Sequence, residues 1–162
     1  MLVKMLEDAV VKRVRVLICL AETRFGRMFQ MPSIRFDLTG TCAGTADWVN
    51  NEVRFNTLFL SHHQQHFITH TVAHEVAHLV APLIYGSRIK PHGKEWQFVM
   101  EQVFHCPAER CHQYDLATLN NQRRYHCHCA QPIWLGPIQH KRAQQGIRYI
   151  CKQCRQPLTA AV

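Results

Sequence analysis

The sequence predicts an α+β protein followed by a small segment that needs a metal to fold. Long stretches carry apolar residues at helical spacing, and short runs that alternate in the manner of β-strands lie between them. Beyond about Arg123 the composition shifts to Cys, His, Arg and Gln with few aliphatic residues, so this part cannot build an apolar core of its own. We therefore predict one domain over residues 1–120, with helices and a small mixed sheet, and a second over residues 121–162.

The first third of the chain predicts one helix and three short extended segments. Apolar residues recur every three or four positions over residues 2–24, which indicates an amphipathic helix. Residues 33–38 alternate as a strand does, and residues 40–46, "GTCAGTA", are small and predicted to be extended. The stretch "DWVNNEVRFN" places an Asn-Asn turn between two strand-like runs, which predicts a hairpin.

Two further helices are predicted downstream. Helical spacing runs from Ser61, a candidate N-cap, to about Tyr85, with Gly86 as the stop. Pro82 lies inside this stretch, where a proline removes a backbone hydrogen bond and favours a kink or an end. Residues 93 to about 105 predict another helix, which Pro107 ends.

Charge is distributed unevenly along the 162 residues. The formal net charge is +8, and no acidic residue follows Asp115, whereas seven Lys and Arg do. A basic block of this kind favours a polyanionic partner, with nucleic acid expected before an anionic membrane surface. The alternative is that these charges form an ordinary solvated face.

The eight cysteines are interpreted as metal ligands rather than disulfides. The N-terminal segment is interrupted by charged residues, and its longest uncharged stretch, residues 16–21, is too short for an export signal or a membrane span. We therefore expect a cytoplasmic protein that does not enter a membrane.

The segment "FITHTVAHEVAHLV", residues 67–80, carries the most specific chemical signal. Among its histidines spaced four apart, only His74 and His78 enclose a glutamate, Glu75, directly after the first member. Two imidazoles one helical turn apart can hold one zinc ion, and the adjacent carboxylate can take a proton from a water that the zinc activates. We predict His74 and His78 as zinc ligands and Glu75 as the catalytic base.

The other histidines that precede His74 at intervals of four residues are less informative. His62 and His66 are interpreted as surface residues on a polar helix face, and the role of His70 is left open.

A catalytic zinc needs a third protein ligand and an open fourth position. The metzincin pattern is excluded because Ala81 and Ile84 stand where it requires Gly and His. Downstream candidates are His92, Glu95 and Glu101, of which His92 in "KPHGKEW" is preferred because it lies in a loop that can fold back over the metal.

The C-terminal cysteines have the spacing of a structural zinc site. Two pairs are separated by twenty-one residues, which is typical of a zinc ribbon whose thiolates close a tetrahedral site: Cys127, Cys129, Cys151 and Cys154. The alternatives are that His126, His128 or His140 replaces a cysteine, or that one pair is a redox dithiol.

The basic residues of this segment favour nucleic acid as the partner. Cations contact phosphates, and interleaved aromatics can stack on exposed bases or merely pack the ribbon. We predict DNA binding without strong sequence preference, weakened by salt, through Arg123, Arg124, Lys141, Arg142 and Arg148; the aromatics are Tyr125, Trp134 and Tyr149.

The motifs "HEVAH", "KPHGKEW", "RCHQYDL" and "CHC…CKQC" occur in the order seen in the bacterial SprT family, and the sequence resembles that family over almost its whole length. The resemblance implies a zincin-like metalloprotease core with one catalytic zinc on His74, His78 and His92 and Glu75 as base, followed by a ribbon with a structural zinc. It also implies an edge strand, residues 40–46, that pairs with the extended substrate and whose small residues let the substrate backbone approach closely; the alternative is an ordinary glycine-rich strand or turn. Pro82 departs from the pattern expected after the zinc motif.

The resemblance further suggests a role like that of the eukaryotic Spartan proteases, which cleave proteins crosslinked to DNA and are switched on by DNA. The expected function is therefore a zinc metallopeptidase that acts on DNA-associated or DNA-crosslinked proteins, with single-stranded DNA or DNA of any sequence as partner. The alternative is a nonenzymatic, zinc-containing protein that binds DNA or regulates transcription.

Overall fold

The computed structural model describes residues 2–109, 123–129 and 133–160. The chain divides into two compact units, one within residues 1–114 and the other within 115–162. The predicted boundary between residues 120 and 121 lies in the stretch 110–122, outside the described residues, and so does Cys111. Helices together with small sheets in both units confirm the α+β class.

The first unit begins with the predicted amphipathic helix and a mixed sheet. Helix α1 spans Leu2–Phe25, and strands β1, β2 and β3 span Ser33–Arg35, Gly44–Asp47 and Glu52–Phe55. The order across the sheet is β1-β3-β2, with β1 parallel and β2 antiparallel to β3. The hairpin is confirmed: four residues, 48–51, join β2 to β3, and Asn51 takes the left-handed conformation (φ 50°) that the turn needs. Strand β1 is shorter than the predicted 33–38, and only the end of "GTCAGTA" enters β2.

Helical structure then runs almost without a break to the end of the metal-binding motif. Short helices α2 and α3 span Thr57–His62 and Gln64–His66, a π-helical turn spans Phe67–Thr71, and α4 spans Val72–Tyr85. Helix α4 continues through Pro82, and it ends at Gly86 (φ 90°), whose N–H donates to the Pro82 carbonyl at 2.9 Å. The prediction of Gly86 as the stop is confirmed.

The prediction of Ser61 as the N-cap is wrong. Helical structure begins four residues earlier, where the Asn56 side chain accepts from Leu58 N–H at 3.0 Å. Ser61 lies inside α2, and its hydroxyl donates to the Leu58 carbonyl at 2.8 Å. Asn56 is buried, and its amide also donates to the carbonyls of Gly40 and Cys42, both at 3.2 Å. One side chain therefore starts the helical region and fixes the loop that leads into β2.

Helix α4 lies at the centre of the first unit, and its apolar residues are buried from Val72 to Ala81, whereas Leu83 and Tyr85 near its end are exposed. It packs against α1, β2 and β3 and against the last helical segment, which consists of α5 (Lys94–Phe98) and a π-helical turn (Val99–Val103). The helix predicted over residues 93–105 thus ends at Val103, before Pro107. The largest fully buried side chains around α4 include Leu17, Phe55, Phe67 and Trp96.

The second unit is a small sheet with one helix. Strands β4, β5 and β6 span Arg123–His126, Ile133–Leu135 and Thr159–Ala160, in the order β5-β4-β6, and α6 spans Pro137–Gln144. Only Tyr125, Leu135 and Cys151 are buried among its described residues. This small apolar core agrees with the prediction that the segment needs a metal. No described helix in either unit is long and apolar enough to cross a membrane.

Candidate functional site

Three histidine side chains converge on one point in the first unit. The Nε2 atoms of His74 and His78 are 3.1 Å apart, those of His78 and His92 are 3.1 Å apart, and those of His92 and His74 are 3.2 Å apart. His74 and His78 lie one turn apart on α4, and His92 comes from the loop between α4 and α5. Gln97 holds this loop, since its side-chain amide donates to the His92 carbonyl at 3.2 Å.

The three nitrogens fit a zinc ion by distance and by chemistry. Tetrahedral zinc with Zn–N of about 2.0–2.1 Å places neighbouring nitrogens about 3.3–3.4 Å apart, close to the observed triangle. Burial, and secondly the proximity of His92, lowers the pKa of His78 to about 4. A neutral imidazole is the form that ligates a metal.

Trp96 supports all three histidines, a role that the sequence analysis missed. It is fully buried on α5, and its ring lies 4.8 Å from those of His74 and His92 and 5.4 Å from that of His78. Its indole N–H donates to the His74 carbonyl at 3.4 Å. The signal was present in "KPHGKEW", where a tryptophan follows the third histidine by one helical turn.

Glu75 lies beside the histidines in a nearly water-free position. Its side chain is only 6% exposed, and burial raises its pKa to about 8. Burial is the cause of this shift, and no neighbouring cation among the described residues counteracts it. A carboxylate here is therefore poised to accept a proton from a group in the cleft.

The edge strand β2 contacts Glu75 directly. A Cβ atom added at Gly44 would lie 2.7 Å from Glu75 Cγ and 3.0 Å from Glu75 Oε1, closer than such contacts allow. Glycine at position 44 is thus explained by the approach of the Glu75 side chain, a contact that the sequence analysis did not foresee. It had attributed the small residues of "GTCAGTA" to the approach of a substrate.

The histidines and Glu75 line an open cleft of about 520 Å³. Its lining includes strand β2 with the following Trp48, which is 38% exposed, and the apolar residues Ala81, Pro82 and Ile89. The dimensions suit a side chain or a short extended peptide.

The remaining predicted candidates lie away from this centre. His62 and His66 are exposed, as predicted, and the half-buried His70 stacks on His66 with ring centroids 4.5 Å apart. Glu95 and Glu101, the alternative third ligands, are not members of the metal-ligating group found among the described residues.

The second unit brings the four predicted cysteines together. Their sulfur atoms lie within 4.8 Å of one another, and Cys129 Sγ is 3.9 Å from Cys151 Sγ: the group is Cys127, Cys129, Cys151 and Cys154. Tetrahedral zinc with Zn–S of about 2.3 Å places neighbouring sulfurs about 3.8 Å apart, so the cluster fits zinc and leaves no ligand position open. Arg155, at φ 59°, closes the turn after the second pair, and its N–H donates to the Cys151 carbonyl at 3.0 Å.

No histidine joins this cluster among the described residues. His140, one of the alternatives considered, instead lies with Nδ1 3.0 Å from the Tyr125 hydroxyl. The pKa of Cys154 is lowered to about 6, first of all by a backbone hydrogen bond from Gln156. The pKa of Cys129 is raised to about 12, first of all by the contact between Cys129 and Cys127. The raised pKa of Cys129 reflects its neighbouring sulfurs, because four adjacent thiolates cannot all be ionised without a cation.

The five basic residues predicted to contact nucleic acid are all exposed: Arg123, Arg124, Lys141, Arg142 and Arg148. On the sheet, Arg124 lies directly opposite Trp134, which is 40% exposed, so a cation and an aromatic ring share one face. Tyr125 is buried and packs the ribbon, and Tyr149 is half-buried. Trp134 is therefore the one aromatic of the three with a broadly accessible ring.

Comparison with known proteins identifies the family of this chain. The sequence profile of the SprT-like family matches residues 14–112, which include the histidine triad and Glu75, and the chain belongs to that family. It is 41% identical to Protein SprT of Pseudomonas fluorescens (strain SBW25) over 140 residues, which cover 85% of each chain. It is 38% identical to Protein SprT of Pasteurella multocida (strain Pm70) over 138 residues, covering 84% of this chain and 82% of that one. No solved structure matched.

Proposed function

We propose that this protein is a zinc metallopeptidase with a zincin-like core, a catalytic zinc on His74, His78 and His92, and a structural zinc on the four cysteines of the ribbon. One observation carries the proposal: three imidazole nitrogens within 3.2 Å of one another lie in an open cleft beside a buried carboxylate. A purely structural site would be closed by a fourth protein ligand, and the histidine group has only three members among the described residues.

The residues of the cleft divide the chemistry of peptide hydrolysis among them. When bound, zinc supplies Lewis acidity that makes a water more acidic and polarises a carbonyl. Glu75 accepts the proton of the attacking water and delivers it to the leaving amine. Trp96 and Gln97 hold the histidines in place, and the contact with Gly44 keeps the Glu75 carboxylate aimed into the cleft.

Strand β2 is positioned to bind the substrate backbone. It lies at the edge of the three-stranded sheet, lines the cleft and packs against α4. An extended peptide that adds to this edge gains main-chain hydrogen bonds without demanding a particular sequence.

The proposed substrates are proteins bound or crosslinked to DNA, and the proposed partner is DNA that is single-stranded or of any sequence, in the cytoplasm. The exposed cations of the ribbon and the adjacent pair of Arg124 and Trp134 support this proposal, because cations contact phosphates and an exposed ring can stack on a base. Family membership agrees with it but names no substrate.

A cleavage assay on a DNA-bound protein, with and without single-stranded DNA, tests the proposal when wild type and Glu75→Gln are compared. The wild type should cleave, and more strongly with DNA. The variant should keep its zinc and its DNA affinity while losing at least about 100-fold in rate, the usual contribution of a general base. If the two proteins are equally inert, the nonenzymatic alternative, a zinc-containing DNA-binding protein, is favoured instead.

A further inference from the structure

A second concave surface lies on the first unit and borders the cleft at His92. A cavity of about 590 Å³ is lined by Arg88, Lys90 and Lys94, with Tyr85 and the single acidic residue Glu95. It shares His92 and Ile89 with the cleft that holds the histidine triad. Nothing in the proposed hydrolysis uses these cations.

The positive surface continues beyond this cavity. A shallower cavity of about 450 Å³ shares Tyr85, Lys94 and Glu95 with the first and adds Phe98. Arg24 lies over the Phe98 ring, 5.3 Å from its centroid, and Arg27 donates to the Leu83 carbonyl at 3.2 Å in the turn that precedes Tyr85. We name the five exposed cations the cationic track: Arg24, Arg27, Arg88, Lys90 and Lys94.

The cationic track is not neutralised by the protein. The ion pairs among the described residues join Lys4 to Asp8, Arg35 to Asp37 and Glu52, and Arg54 to Asp37, and none uses a member of the track. Three of these cations, Arg88, Lys90 and Lys94, line the two cavities with Glu95 as the one acidic residue of the linings, so they repel one another and an extended polyanion relieves this repulsion.

The aromatic residues on the track favour a nucleic acid over an acidic peptide. Tyr85 is 42% exposed and is held edge-on by Phe25, with ring centroids 6.3 Å apart. Cations interleaved with an accessible, immobilised ring are the combination that binds single strands, through phosphates and base stacking. One acidic side chain of a peptide would pair with one cation. A row of cations across two adjoining cavities instead matches the regularly spaced phosphates of a nucleic acid strand.

We propose that the cationic track binds a single-stranded nucleic acid on the first unit itself, next to the metal cleft and independently of the ribbon. The strand would then lie alongside the histidine triad. This proposal does not depend on peptidase activity, because it concerns binding alone.

The test is fluorescence anisotropy of the full-length protein with a labelled 20-nucleotide oligothymidylate between 50 and 200 mM salt. Removing two phosphate contacts in Arg88→Ala/Lys90→Ala should reduce the slope of log K against log salt by about 1.4 and weaken binding about 25-fold at 0.1 M salt. The matched control is Lys12→Ala/Arg15→Ala, which removes two exposed cations of α1 outside the track. It should leave the slope within about 0.3 of wild type.

Tyr85→Leu separates stacking from charge. It should weaken binding about tenfold, as loss of one stacked base does, with the salt slope unchanged. Thermal unfolding confirms that all variants are folded, and all five substituted residues lie at exposed positions. The proposal is overturned if the Arg88/Lys90 variant has the same slope as the control variant, or if it loses only the cleavage of acidic peptides. The second result would make the track a peptide subsite.

Discussion

The contact between Gly44 and Glu75 predicts that a single methyl group will disturb the site. In Gly44→Ala the new Cβ would lie 2.7 Å from Glu75 Cγ, whereas ordinary contacts begin at 3.4 Å, so the two must separate by at least 0.7 Å. Strand β2 cannot easily yield, because it is paired with β3 and the loop before it is fixed by Asn56. We therefore expect Glu75 to move.

Displacing a reacting group by nearly 1 Å costs about 100-fold in rate, and overpacking a buried contact costs about 1–3 kcal/mol of stability. Cleavage rates and urea unfolding measure the two effects. Gly136→Ala in the second unit is the matched control: its added Cβ would meet only Gln139 Oε1, at an ordinary 3.8 Å, and it should change neither appreciably. The reasoning is refuted if Gly44→Ala cleaves as fast as wild type.

A double-mutant cycle isolates the contact from any general effect on the strand. In a Glu75→Ala background the Cγ atom is gone, so Gly44→Ala should lose most of its stability penalty there. An equal penalty in both backgrounds would show that the strand, and not the contact with Glu75, explains the glycine.

Three further predictions concern acidity, capping and metal binding. In metal-free protein the pKa of Glu75 is raised from 4.5 to about 8, so the wild type should lose stability as the pH rises between these values. Melting experiments should find Glu75→Gln as stable as wild type near pH 4.5 and more stable above pH 8, by up to about 5 kcal/mol. A difference in stability that does not change with pH contradicts this. Asn56→Ala should lower the free energy of unfolding by about 2–3 kcal/mol, because a cap and two buried hydrogen bonds are lost. Asn56→Asp should lower it at least as much although it keeps the capping oxygen, because its second carboxylate oxygen would face the Gly40 and Cys42 carbonyls in a buried position; urea unfolding that finds the Asp variant as stable as wild type contradicts this. Zinc analysis of His92→Gln should find one equivalent fewer than in wild type, whereas His70→Gln, one turn before the triad, should lose none; loss in both variants would place His70 in the site.

The parts of the site that follow local rules could be predicted from the sequence. His74, Glu75 and His78 are related by the geometry of one helical turn, and the ribbon cysteines by the spacing of two short loops, so chain position alone brings their side chains together. His92 required a choice among three candidates, and the structure places its nitrogen with the other two.

The parts that were missed depend on contacts between distant segments. Trp96 packs on His74 from a different helix, and Gly44 meets Glu75 from a strand thirty-one residues earlier in the chain. The periodicity of a single sequence gives no information about either contact, because the contacting residues belong to different elements. The N-cap was misplaced because Ser61 and Asn56 both have the chemistry of a cap. The capping bond that Asn56 accepts from Leu58 is local, but the bonds that hold its side chain in place reach Gly40 and Cys42, which are distant in sequence.

Zinc-edge anomalous scattering from crystals of the purified protein would test the proposed metal chemistry most directly. We expect two zinc ions per chain, one about 2.0–2.1 Å from the Nε2 atoms of His74, His78 and His92, and one about 2.3 Å from the four cysteine sulfurs. The fourth position of the first ion should be open to water, with Glu75 beside it and not bound to the metal. A protein side chain in that fourth position, or no zinc at the histidines, would contradict a catalytic role.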